Sequence, residues 1–135
     1  MGELTLLEWA VAYIKYKDSV RGRIREYSVT EKTNRVDITN KDGSEEVFLC
    51  AASLSSLDIS KLNNEKIACL NKKENLNWLV ANWDLIKDKK CIFLFVNTKK
   101  SENWAINPNM HNSVTDKAAL KPGLKSLFET ISEAD

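Results

Sequence analysis

Arg21, Arg23 and Arg25 stand at alternate positions in this chain. On an extended strand, residues two apart share a face. If a strand already begins there, the three guanidiniums project together and meet phosphate oxygens, contacts that fix a protein on nucleic acid without reading its sequence. Lys32 and Arg35 extend the feature, since Lys15 to Lys41 holds eight basic residues against four acids. The plainer alternative is that these cations pair with acids of a neighbouring strand, such as Asp37, or solvate an exposed sheet face. A second basic run, Lys87 to Lys100, has five lysines against Asp88 and leads to Trp104. Trp104 opens a strand beside an Asn-rich loop, where an indole either stacks on a base or covers a sheet edge. Beyond it, Asn107, Asn109 and His111 lie in a polar turn. His111, the one histidine, has the chemistry of a general base or metal ligand, with a loop or strand-end histidine as the alternative.

Catalytic constellations are largely missing. The glycines, Gly2, Gly22, Gly43 and Gly123, are too scattered for a phosphate-cradling loop, and there is no Gly-x-Ser-x-Gly elbow. Cys50, Cys69 and Cys91 form no C-x-x-C pair and each falls in a strand-like segment, so they read as small buried hydrophobes rather than zinc ligands, disulfides or nucleophiles. Asp37 with Glu45 or Glu46 is an imaginable carboxylate pair, but acids flanking a hairpin usually face solvent. No catalytic set, no metal site and no cofactor is therefore expected.

The elements that must position these residues follow from pattern. With 135 residues, 43% of them hydrophobic and 29% charged, the chain is expected to form one globular domain over 1–135. Leu4 to Ile14 is interrupted by Glu8 and is too short for a membrane span or a signal peptide, so a cytoplasmic protein without membrane partners is expected. Leu4, Leu7, Val11 and Ile14 make an amphipathic helix over 3–18, with Gly22 placed to end it. Tyr27 with Val29, Val36 with Ile38, and Val47 to Ala51 alternate as a three-strand meander, with Asp42-Gly43 as a hairpin turn. Ile24 falls out of phase, which predicts a bulge. Ser53 to Asn64 reads as a packed connection, and Ile67 to Leu70 as a short strand. Asn71 with Glu74 resembles a cap for a helix reaching about Lys87. Cys91 to Val96 is a central strand reached by a parallel crossover, Trp104 to Ile106 its antiparallel neighbour, and Leu120 to Ile131 a last helix with Pro122 in its first turn. Asp116 is expected to cap an earlier turn.

The predicted class is thus mixed α+β, in the order αβββ-βαββα. The sheet is mainly antiparallel, with five or six strands, one parallel βαβ crossover and three helices. This order is similar to the core of restriction-endonuclease-like nucleases, in which an Asp on the second meander strand and a Glu-x-Lys on the third hold a divalent metal. Asp37 matches the first position, but Val47-Phe48-Leu49-Cys50 carries no Glu-x-Lys. The resemblance therefore implies a non-catalytic relative that keeps nucleic-acid binding. The functional expectation is a small non-enzymatic binding or adaptor domain, associated with nucleic acid or another protein. The alternatives are a metal-dependent nuclease or other hydrolase using Asp37, Glu45, Glu46 or His111, and a protein assembly module.

Overall fold

Thr5 accepts a hydrogen bond from the Glu8 backbone N–H, and Glu8 accepts one from the Thr5 N–H. This reciprocal cap starts helix α1 (Leu6–Arg21) in the computed structural model, which describes residues 5–114 and 117–134. Residues 3 and 4, the expected start of the helix, lie outside the described residues. Gly22 ends α1 as predicted: its φ of 61° is left-handed, and its N–H donates to the Asp18 carbonyl.

The meander forms as β1 (Ile24–Thr30), β2 (Arg35–Asn40) and β3 (Glu45–Cys50). The register between β1 and β2 slips between Ile24 and Glu26, the bulge that the phase mismatch predicts. Asp42-Gly43 makes the β2–β3 turn, with Gly43 at a φ of 88°. With β4 (Lys66–Leu70), β5 (Ile92–Asn97) and β6 (Glu102–Ile106), six strands lie in one sheet in chain order. Both β3–β4 and β4–β5 are parallel, so there are two crossovers rather than one. The extra crossover is the Ser53 to Asn64 connection, which folds as two 3-10 turns and buries Leu54 and Leu62 in the same core as the helix that follows β4. Without a helical stripe, nothing in its pattern distinguishes a crossover from a loop.

The described residues contain five helices, where three were expected. The helix after β4 is split at Asn82 into α2 (Lys73–Ala81) and α3 (Trp83–Ile86), with the Asn82 side chain donating back to the Trp78 carbonyl. Residues expected as a polar turn form α4 (Pro108–Val114), begun by Asn107, whose side-chain oxygen accepts from the Met110 N–H. The last helix is α5 (Leu120–Phe128). Asp116 lies outside the described residues. Asn71 does not cap α2; Lys72 holds that position and Asn71 is fully buried.

Two cores sandwich the sheet. Trp9, Ala10 and Ile14 of α1 pack on Val36, Ile38, Phe48, Ala68 and Leu94. On the opposite face, α2, α3 and α5 cover Ile67, Cys69, Phe93, Phe95 and Trp104. A sheet of six strands spaced about 4.8 Å apart is far wider than one helix of about 10 Å. The α1 face is therefore only partly covered.

Candidate functional site

A cleft of about 490 Å³ opens on that face, between the last two turns of α1 and the sheet. The α1–β1 junction is fixed by Asp18, whose Oδ1 accepts from the Arg23 and Ile24 backbone N–H groups at 2.8 and 2.9 Å. With Gly22 in its left-handed conformation, this turn places Arg21 and Arg23 on the same cleft. Lys17 of α1 and Lys66 of β4 complete four cations drawn from three parts of the chain. Lys17 also sits 5.5 Å from the centroid of the Tyr13 ring. The Arg21 guanidinium makes no hydrogen bond or ion pair with a described residue.

Opposing these cations are two carboxylates. Asp18 is committed to the backbone of the junction. Glu46 accepts from the Asn40 side-chain amide at 2.8 Å and lies 3.4 Å from the Lys66 ammonium. The Asn40 hydrogen bond chiefly, with the charges of Lys66 and Arg23, holds the Glu46 carboxyl below the ordinary range despite its partial burial. Asn40 is itself positioned by the hairpin: its N–H donates to the Ser44 carbonyl and its amide to Ser44 Oγ. Ser44 is fixed in turn by Asp42, which accepts from both its N–H and its hydroxyl. Those two bonds lower the Asp42 carboxyl as well. The cleft thus has a basic rim over a largely apolar floor, in which the Asn40 and Ser44 donors are already committed and Glu46 is paired with Lys66; the rim cations give it a chemistry suited to anionic oxygen.

The other sequence candidates lie elsewhere. Arg21 is the last residue of α1 and the strand starts at Ile24, so strand alternation does not align Arg21, Arg23 and Arg25. Arg25 falls in the bulge and pairs with Glu26 at 3.7 Å. Lys32 is exposed in the 3-10 turn between β1 and β2. Arg35 is engaged by Asp37, donating through Nε and Nη2 at 3.0 and 2.9 Å.

Trp104 offers no free face to a base. It is 7% exposed, stacked on Phe95 with ring centroids 4.3 Å apart, and its Nε1–H donates to Asn71 Oδ1. Asn109 donates to the Lys87 carbonyl, and His111 sits edge-on to Trp83, so the expected polar loop is a helix packed against α3.

The acids invoked for hydrolysis divide between the two sheet faces, Asp37 and Glu45 on one and Glu46 on the other. Asp37 pairs across the ladder with Val47, whereas Glu46 pairs with Ile38 of the α1 core, so the two carboxylates occupy opposite sheet faces. Glu45, next to Glu46 in sequence, points away from the cleft. Among the described residues, no group of three His, Cys, Asp or Glu side chains is placed to hold a metal ion, and no helix is long and apolar enough to cross a membrane. No protein-family model, curated protein or solved structure matches the chain, so the residues themselves carry the functional reading.

Lys17, Lys66 and Asn40 are not legible as site residues, and Glu46 is legible only as a partner for Asp37. They are up to 49 positions apart and meet only through the register that sets Ile38 against Glu46 and Phe48 against Lys66. The one available signal was the concentration of basic residues between Lys15 and Lys41.

Proposed function

We propose that this domain is a non-enzymatic nucleic-acid-binding module that seats a single strand in the cleft beneath α1. The observation that carries the reading is the convergence of Lys17, Arg21, Arg23 and Lys66 on one recess, with Asp18 spent on the backbone and Glu46 neutralised. Four cations around a recess of this size suit a few successive phosphates of one strand; a duplex would be too wide to enter. Tyr16 serves as the stacking surface in place of Trp104. It is 71% exposed and lies one helical turn from Tyr13, which lines the cleft, and Val20, 84% exposed, continues the same flank. An exposed aromatic beside a basic recess is the usual arrangement of sequence-tolerant single-strand binding.

Fluorescence anisotropy with a labelled 12-nucleotide single-stranded DNA tests this. Saturable binding is expected, weakened more than tenfold by Arg21→Ala with Arg23→Ala. Tyr16→Ala should cost about 1–3 kcal/mol, the worth of one base on an aromatic ring. Changing Lys32 to Ala, outside the cleft, should have little effect. Absence of single-strand binding, or binding to duplex alone, would dismiss the reading.

A further inference from the structure

We infer that the groove between α2 and α5, on the sheet face opposite the cleft, docks a short acidic amphipathic helix with apolar anchors. The groove has a volume of about 470 Å³. Its floor is apolar: Val80 is half-buried, and Leu76, one turn before it on α2, and Phe128 of α5 show only their edges, at 9% and 6% exposure. Its rim is basic: Lys73 comes from α2, and Lys121 and Lys125 stand one turn apart on α5. Glu129 is the one acid lining it.

Charge complementarity selects the occupant. Lys121 and Lys125 are like charges at i,i+4, an arrangement that weakens a helix by itself and that a negatively charged partner relieves. The apolar floor calls for aliphatic anchors, and acidic residues flanking them would meet the lysine rim, the pattern of an amphipathic helix laid into a groove. Each wall is a nine-residue helix, about 13 Å long at 1.5 Å per residue. That length accommodates two or three turns of a partner, enough for anchors four positions apart. A nucleic-acid strand suits the groove less well, because the floor is mostly aliphatic. With the cleft on the opposite face, the domain would join two partners of different chemistry.

The test uses a fluorescein-labelled, 14-residue helical peptide with two leucines four positions apart, flanked by glutamates. Saturable binding to the full chain is expected. Lys121→Glu with Lys125→Glu should weaken it at least tenfold, and so should Asn77→Trp, which fills the groove from an exposed helical position and decides the matter if the charge-reversed variant does not fold. Replacing the peptide leucines by serine should have a similar effect. Arg21→Ala with Arg23→Ala should leave peptide binding unchanged while impairing oligonucleotide binding, so the two sites fail separately. The inference is overturned if the peptide does not bind, if a lysine-flanked peptide binds equally well, if both groove variants bind as the wild type does, or if phosphatidylserine vesicles bind where the peptide does not.

Discussion

Glu46 decides how attractive the cleft is to an anion. Its carboxylate faces the ligand space, yet the Asn40 amide and the Lys66 ammonium satisfy it. Glu46→Gln removes a charge of the ligand's own sign. At a partly exposed site that is worth roughly 1 kcal/mol, so oligonucleotide affinity should rise about fivefold in the anisotropy measurement. The sign of the pH effect on stability follows from the lowered carboxyl. A folded-state value below 4.5 means that Glu46 stabilises the fold above about pH 4.5, and that this contribution fades as pH falls through the folded value. Urea unfolding of wild type and Glu46→Gln should therefore differ at pH 7, and the difference should shrink as pH falls below 4.5. The cysteines give a second check at this scale. Burial pushes Cys50 up to about 12 and Cys91 to about 11, and raises Cys69 well above the ordinary thiol range. At pH 8 an aromatic disulfide reagent should react slowly with the native protein and rapidly with three thiols after unfolding; a fast native reaction would contradict their burial. Sequence located Arg21 and Arg23 but attached them to the wrong geometry, because Gly22 was free either to continue toward a strand or to cap a helix. For Trp104 the structure favours the second of the two sequence readings: on edge strand β6 the indole is buried over Phe95 and donates to Asn71.

Two features organise the elements around the site. Gly22 turns the chain from α1 into β1, and a side chain at its φ of 61° is strained by about 1–2 kcal/mol. Gly22→Ala should lower stability by that amount in urea titration and weaken oligonucleotide binding, since Arg21 and Arg23 flank the turn. Asn71 ties the chain end to the sheet on the other side. Its amide donates to the Phe128 and Ser132 carbonyls, its oxygen accepts from Trp104, and its backbone carbonyl accepts from the Ala134 N–H. Asn97 adds a bond to Ser132. Asn71→Ala leaves several buried groups unpaired and should cost about 3 kcal/mol. At this scale the strands were the legible part: alternation and the Asp-Gly turn mark the meander, the out-of-phase Ile24 the bulge, and the apolar run Cys91 to Val96 a central strand, within an expected sheet of five or six. Short helices were not, because α3 and α4 are four and seven residues long, too few for an apolar stripe to repeat.

Across the whole molecule, a formal charge of +1 conceals its arrangement. Positive charge gathers at the cleft beneath α1 and along the α2–α5 groove, on opposite faces of one sheet, while Asp37 is neutralised by Arg35 away from both. Such a distribution supports the proposed binding role. The most direct measurement is the salt dependence of single-strand binding. With Lys66 spent on Glu46, releasing counterions from the three phosphates met by Lys17, Arg21 and Arg23 gives a slope of about −2 in log affinity against log salt, and Arg21→Ala with Arg23→Ala should reduce its magnitude by roughly two-thirds. A slope near zero, or one that the double variant leaves unchanged, would contradict the assignment of the cleft.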